Sequence, residues 1–154
     1  MPLYPAENEH ERILPKSEAD DLRTHMASAW GVKKGYWWPL SDPRPPHAEG
    51  FQDYFFEHEF GYAALRRILS EHGVKSVLEF REDGEAYEVS IASFEPRYTG
   101  LEGFWTSHSF DWILYASHES SVTVGGEWLL PAVRVSWPSW ERRVWTSPFY
   151  ERPQ

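Results

Sequence analysis

Residues 103–128 read GFWTSHSFDWILYASHESSVTVGGEW, and this stretch decides the fold. It combines aromatic and β-branched residues, which favour strands, with turn-forming residues at 117–121 and 125–126. Side chains of a strand alternate between its two faces, and in residues 110–117 both faces carry bulky groups, with Phe110, Trp112 and Leu114 on one face and Ile113 and Tyr115 on the other. We therefore predict a central strand of an antiparallel sheet that is covered on both sides, followed by a short strand at 121–124.

A β-hairpin is predicted just upstream. Residues 74–80 (VKSVLEF) and 86–94 (AYEVSIASF) alternate with a period of two. The REDGE segment joins them, and its Asp83-Gly84 pair suits a tight turn. The alternation indicates one packed face and one partly hydrated face.

Two helices are predicted before the hairpin. The first begins at the capping residue Ser17 and ends at Gly31, with one buried stripe formed by Leu22, Met26, Ala29 and Trp30. The second begins at Phe51, carries apolar residues at helical spacing and stops at Gly73.

Residues 129–137 fit two structures. Pro131 suits the first turn of a helix, but Val133, Val135 and Trp137 also alternate as in a strand. We favour the helix. The fold class is therefore α+β, with two N-terminal helices, an antiparallel sheet of about five strands in meander order and a C-terminal helix.

The length of the chain predicts one domain over residues 1–154. Residues 1–16 contain three prolines without a regular period, so we expect an extended arm. Residues 31–50 contain four prolines and three aromatic residues, and we expect a long loop. Long loops in compact domains are often functional, which makes this segment a candidate binding surface.

The formal charge of −9 repels a phosphate backbone and attracts cationic proteins, so we expect no nucleic-acid partner. The acidity also fits a second interpretation, in which it serves only solubility. The chain has no cysteine, which excludes disulfides and thiolate chemistry. The N-terminal residues do not resemble a signal peptide and no apolar run is long enough to cross a bilayer, so we expect a cytoplasmic protein without a membrane partner.

Aromatic residues form 17% of the chain, more than an average core requires. Partly exposed rings suit contact with a protein, a sugar or a flat ligand. The candidate binding residues, taken from the long loop and from the central stretch, are Trp37, Trp38, Tyr115, His118, Glu119 and Trp128. Clamping the loop onto the core is the alternative role for Trp37 or Trp38.

Two chemical hypotheses arise in the central stretch. His108, Asp111, His118 and Glu119 are suitable metal ligands, but no recognised ligand spacing such as HExxH is present. A serine within 117–121 with a nearby histidine suggests hydrolysis, but no GxSxG elbow is present. We therefore predict neither a metal nor a cofactor, assign no catalytic residue and favour a protein that is not an enzyme.

The functional prediction is a small acidic protein-binding domain, of the inhibitor or immunity type, that occludes a basic partner. The alternative is a small-molecule or sugar-binding domain, or a small hydrolase, with a pocket between the 31–50 loop and the sheet. Residues 117–121 form either part of a site or only a turn. The sequence leaves the oligomeric state and the identity of the partner open.

Overall fold

The computed structural model describes residues 8–33 and 36–153. Its strands are β1 His10–Ile13, β2 Ala48–Gln52, β3 Ser76–Arg81, β4 Ala86–Ser90, β5 Gly103–Thr106, β6 Ile113–Ala116 and β7 Ser121–Gly125. Its helices are α1 Lys16–Trp30, α2 Asp53–Phe55, α3 Tyr62–Glu71 and α4 Leu129–Ser136. A π-helical turn, Phe56–Gly61, joins α2 to α3, and a 3₁₀ turn, Trp140–Arg143, follows α4.

The strands form one open antiparallel sheet in the order β1-β4-β3-β5-β6-β7-β2. The β3–β4 hairpin and the β5–β6–β7 succession agree with the prediction. However, β5 pairs with β3 and not with β4, so the strands do not follow the predicted meander order throughout. The connection from β4 to β5 crosses over β3.

The described part of the chain forms a sheet of seven strands, where about five were predicted. The two edge strands, β1 and β2, account for the difference. β1 lies in the predicted arm and pairs with β4, whereas residues 1–7 of that arm lie outside the described residues. β2 pairs with β7 where the sequence predicted the end of a loop and the start of a helix. Both are edge strands of four or five residues, and backbone pairing of such short segments requires no regular side-chain period.

Hydrophobic clusters cover both faces of the sheet. On one face, α3 and α4 pack over the sheet with Trp105, Trp112 and Leu114. On the other face, α1 and Trp37 pack over Leu78, Phe80, Ile113 and Tyr115. The central strand β6 is buried along its length, as predicted. Phe110 changes face relative to the prediction because its φ of 54° places it in a turn before the strand.

One strand of the hairpin, β3, differs from the prediction of one partly hydrated face. Leu78 and Phe80 belong to the cluster under α1, whereas Val77 and Val89 belong to the cluster under α3. Glu79 is only 3% exposed. In β3 the alternation therefore separates two buried faces, because the sheet lies between helices on both sides. In β4, Tyr87, Glu88 and Ser90 stay half-buried, as the prediction of partial hydration allows.

The helix boundaries depend on local backbone geometry. α1 begins at Lys16, after Pro15, so the predicted cap at Ser17 is inside the first turn. It ends at Gly31, whose φ of 68° gives the predicted left-handed cap. The helix predicted from Phe51 begins at Asp53, because Phe51 pairs with β7.

Residues 129–137 form a helix through Ser136, which resolves the ambiguity in the sequence. Pro131 lies in its first turn, where the missing N–H is not needed. Both edges of β7 are already occupied by β6 and β2, so the following residues have no strand there to pair with. Leu129, Leu130 and Val133 are instead buried over the sheet.

None of the helices within residues 8–33 and 36–153 combines the length and the apolar character that crossing a bilayer requires.

Candidate functional site

The corner at residues 117–121 is a hydrogen-bonded turn. The amide of Ser117 donates to the carbonyl of Ser121 at 3.0 Å, and the hydroxyls of these two serines lie 2.6 Å apart. Ser117 and Ser121 are each 1% exposed. Since both hydroxyls are buried and paired within the turn, neither is an accessible nucleophile.

A buried carboxylate lies behind this corner. Glu102 is 1% exposed, and its Oε2 accepts the amide of His118 at 2.8 Å. Its Oε1 lies 2.8 Å from the Tyr115 hydroxyl and 2.9 Å from Nδ1 of His118. Burial raises the pKa of Glu102, and the hydrogen bonds from His118 and Tyr115 oppose that effect.

These contacts orient the ring of His118. We assign the Nδ1 proton to the bond with Glu102, because the carboxylate accepts the neighbouring hydrogen bonds. Nε2 of His118 then lies on the outer side of the ring, 3.5 Å from Glu119. The His118 side chain is 45% exposed, so part of the ring is accessible to a ligand beside Glu119.

A cleft of about 520 Å³ adjoins His118, and we call it the corner cleft. Its walls come from α2, the π-helical turn, the first residue of α3, residues 96–98, residues 116–122 and Arg152. Within it, Glu57 accepts hydrogen bonds from Tyr62 at 3.2 Å and from Arg97 at 3.0 Å. Burial raises the pKa of Tyr62. Turns of π-helix are frequent at functional sites, which makes the corner cleft a candidate ligand site.

The corner cleft differs in position from the predicted pocket between the 31–50 loop and the sheet. The loop approaches His118 through Tyr36, whose ring centroid lies 6.4 Å away in an edge arrangement. Tyr115, predicted as a binding residue, is fully buried and contacts Glu102 instead of a cleft.

The four weak metal candidates do not come together. His108 lies 3.7 Å from Glu88, and Asp111 accepts hydrogen bonds from Ser109 and Trp128. His118 and Glu119 lie at the separate 117–121 corner. Across the described parts of the chain, 8–33 and 36–153, no group of three or more histidine and carboxylate side chains is arranged to hold a metal ion.

The two loop tryptophans fix the loop to the body of the domain. Trp37 is 2% exposed, and its indole N–H donates to the carbonyl of Trp30 at 3.0 Å. Trp38 is half-buried, and its carbonyl accepts the hydroxyl of Thr123 on β7. Trp37 therefore has the clamping role that the sequence allowed.

Trp128 lines a second cleft of about 550 Å³. The cleft lies between the end of α1, residues 45–47, Asp111 before β6 and residues 127–128 after β7. We call it the acidic–aromatic cleft. The side chains that give it this character are Trp30, Pro45, Pro46, Asp111, Glu127 and Trp128.

Both indoles of this cleft are held in place by hydrogen bonds. The Trp128 N–H donates to Oδ2 of Asp111 at 2.8 Å, and the same ring stacks on His72 at 3.8 Å. The Trp30 N–H donates to the carbonyl of Phe110 at 2.9 Å. Each ring is half-buried, so it combines a fixed orientation with an accessible surface.

The charge of the acidic–aromatic cleft is negative. Glu127 is 83% exposed at its side chain and lies 3.6 Å from His47. Partial burial tends to raise the pKa of Asp111, but hydrogen bonds from Ser109 and Trp128 lower it overall. Among the described residues that line the cleft there is neither lysine nor arginine. The described lining of the cleft thus presents two carboxylates, Asp111 and Glu127, without a lysine or arginine beside them.

The comparisons give no family. No protein-family model, no curated protein and no solved structure matches this chain. The function is therefore inferred from the geometry of the two clefts.

The sequence indicated His118 in the corner cleft, and Trp128 and Asp111 in the acidic–aromatic cleft, with Asp111 only as a weak metal candidate; most of their neighbours were missed. Glu102 has no distinguishing pattern in the sequence, because its burial results from the pairing of β5 with β3 and β6. Trp30 was predicted to lie on the buried stripe of α1, but its position in the last turn leaves it half-exposed. Pro45 and Pro46 offered only a loop signal.

Proposed function

We propose that this chain is a small cytoplasmic protein-binding domain, of the inhibitor or immunity type, that occludes a basic protein partner. The observation that carries the proposal is the acidic–aromatic cleft, where two fixed indoles and two carboxylates meet without a lysine or arginine among the described lining residues. Aromatic anchors surrounded by polar groups are typical of binding hot spots.

The overall charge supports the same partner. A formal charge of −9 increases the association rate with a cationic protein, and this effect decreases as salt is added. Exposed carboxylates at the cleft provide charge-assisted hydrogen bonds to arginine or lysine at short range. Binding at this surface requires no catalytic group, which fits the burial of Ser117 and Ser121.

The test is affinity capture from the native cytoplasm with the immobilised chain, followed by identification and titration of the purified partner. We expect a basic protein that binds the wild type and binds Trp128→Leu at least about tenfold more weakly, as for a central aromatic anchor. Glu127→Gln is expected to slow association and to reduce its dependence on salt.

Matched controls lie outside the cleft. Phe149→Leu removes a ring that is 90% exposed, and Glu141→Gln removes an exposed carboxylate on the 3₁₀ turn. Both controls are expected to bind as the wild type does. Equal binding by Trp128→Leu and wild type, or a partner without a basic surface, would contradict the proposal.

A second candidate function uses the corner cleft. The specific observation is the hydrogen bond between Glu102 and Nδ1 of His118, which fixes the imidazole with Nε2 outward. In its neutral form such a ring accepts a proton at Nε2 from a bound hydroxyl or water, as in general-base catalysis. The candidate is therefore a small-molecule or sugar-binding domain, or a small hydrolase.

Thermal-shift measurements with sugars, nucleotides and metal salts test this candidate, because a ligand of the native state raises its melting temperature. The expected result is a shift that His118→Gln abolishes and that His108→Gln, an exposed histidine away from the corner cleft, leaves unchanged. No shift with any compound, or a shift that persists in His118→Gln, counts against the corner cleft.

A further inference from the structure

Arginine side chains in this protein repeatedly pack against aromatic rings beside a carboxylate. Arg143 lies 3.6 Å from the centroid of the Phe55 ring and donates to both carboxylate oxygens of Glu59, at 2.8 and 3.0 Å. Arg152 lies 4.9 Å from the ring of Tyr150 and 3.2 Å from Asp53.

The corner cleft contains a third unit of this kind. Arg97 lies 5.1 Å from the ring of Tyr62 and donates to Glu57 at 3.0 Å. In each unit the guanidinium carbon lies over the ring, 3.6–5.1 Å from its centroid, while the carboxylate accepts its N–H groups, a combination that a planar cation satisfies best.

The acidic–aromatic cleft contains the ring and the carboxylate of such a unit without the arginine, and His72 stacks on the Trp128 ring at 3.8 Å, so a guanidinium would pack on the side of the ring away from His72. Trp128 and Asp111 are held together by the indole hydrogen bond of 2.8 Å. Asp111 also accepts the hydroxyl of Ser109, and a carboxylate has about four acceptor positions, so further positions stay open to a donor. Glu127 supplies a second carboxylate at the same cleft.

We propose that the acidic–aromatic cleft binds an arginine side chain of the basic partner, with its guanidinium against Trp128 and its N–H groups donating to Asp111 and Glu127. This inference rests on the proposed protein-binding function and specifies its chemistry. The remaining apolar wall, formed by Trp30, Pro45 and Pro46, suits the methylene groups of the arginine stem.

Arginine fits this cleft better than lysine for a geometric reason. A guanidinium stacks flat on an indole and presents a fork of N–H donors, whereas an ammonium is a strongly hydrated point charge without a flat face. Charge attraction alone would not distinguish the two cations. Preference for arginine over lysine is therefore the property that separates this proposal from general attraction to an acidic surface.

The experiment is an NMR titration of the ¹⁵N-labelled full chain with N-acetyl-arginine amide, following the indole N–H resonances. N-acetyl-lysine amide, which carries the same charge, is the matched control. We expect saturable shifts of the Trp128 and Trp30 indoles with the arginine compound, at about fivefold lower concentration than with the lysine compound.

The double variant Asp111→Asn, Glu127→Gln should weaken arginine binding at least about fivefold, since neutral acceptors form weaker hydrogen bonds to a guanidinium. The asparagine introduced in that variant still provides a side-chain oxygen for the indole of Trp128. An unchanged indole resonance of the buried Trp105, whose N–H is bonded to Glu79, shows that the variant is folded. Glu141→Gln should bind as the wild type does.

Equal shifts with the arginine and lysine compounds, or arginine binding unaffected by the double variant, would overturn the arginine inference. If Trp128→Leu still loses the protein partner in that case, the proposed function stands and only the arginine preference fails. Conversely, if the arginine compound binds but cleft variants retain the partner, the proposed function fails while the arginine site remains.

Discussion

The hydroxyl of Tyr115 donates a hydrogen bond of 2.8 Å to the carboxylate of Glu102 in the interior of the domain. Tyr115 is 0% exposed and Glu102 is 1% exposed, so water does not replace this bond when it is removed. Tyr115 lies on the buried strand β6, and Glu102 orients the ring of His118. The hydrogen bond between them therefore links the strand to His118.

Replacing the tyrosine tests the contribution of this bond. Tyr115→Phe should lower the free energy of unfolding by about 1–3 kcal/mol, because a hydrogen bond to a buried carboxylate is lost. Urea denaturation measures the change. Tyr36→Phe is the matched control, since Tyr36 is 49% exposed, and should change stability little. Equal stability of Tyr115→Phe and wild type would show that Glu102 does not depend on this donor.

Glu59 should make stability depend on acidic pH. Hydrogen bonds from Arg143, and then from Ser139 and Trp137, lower the pKa of Glu59 from 4.5 to about 2 despite partial burial. Because folding lowers this pKa, the stabilisation is complete above pH 4.5 and is lost as the pH falls towards 2. The difference in unfolding free energy between wild type and Glu59→Gln should therefore shrink over that range. A difference that stays constant from pH 6 to about pH 2 contradicts this assignment.

Gly103 should not accept a side chain. A Cβ added there would lie 2.6 Å from the Trp105 ring, whose N–H is bonded to the buried Glu79. Gly103→Ala should cost about 1–3 kcal/mol and shift the indole N–H resonance of Trp105.

Gly31→Ala separates this steric effect from backbone strain. Gly31 has a φ of 68° and open space around its Cβ position, so alanine there should cost about 1–2 kcal/mol without moving the Trp105 resonance. If neither variant shifts the indole N–H resonance of Trp105, the loss of stability in Gly103→Ala does not arise from contact with the Trp105 ring.

Glu79 should hold the edge strand β1 to the sheet. Its carboxylate accepts hydrogen bonds from Asn8 at 3.1 Å and from Trp105 at 2.8 Å, and it lies 3.2 Å from Nε2 of His10. Glu79→Gln should accelerate amide exchange in β1, where fewer contacts oppose local opening, before it affects β6.

The control for β1 is Glu88→Gln, which alters the exposed ion pair with Arg12. Exposed pairs of this kind contribute little, so exchange in β1 should stay close to that of the wild type. Equal acceleration in the two variants would mean that Glu79 has no special role in docking the strand.

Much of the fold follows from side-chain periodicity. The β3–β4 hairpin, the buried central strand and the ends of α1 and α3 near Gly31 and Gly73 agree with the prediction, since each has a local signal in alternation or turn chemistry. β1 and β2 were not predicted, because a short edge strand is determined by the partner that its backbone meets.

The candidate site was predictable only in part. Trp128 and His118 attracted attention because of their residue types, whereas Tyr115 proved to be a buried donor and Trp37 a loop clamp. Neither Glu102 nor Glu127 differs in its local sequence from the other acidic residues. Their different roles result from burial of one side chain and exposure of the other.

The sequence by itself determined the α+β class, the strand character of residues 103–128, the negative charge and the absence of thiol chemistry. These properties depend on composition and on local periodicity, which the chain carries without folding. Tertiary structure alone decided that Ser117 and Ser121 are buried, that Glu102 lies behind His118 and that Trp30 meets Trp128 at one cleft. The physical reason is that each arrangement joins segments distant in sequence, and their approach is set by sheet register and by the packing of helices on both faces.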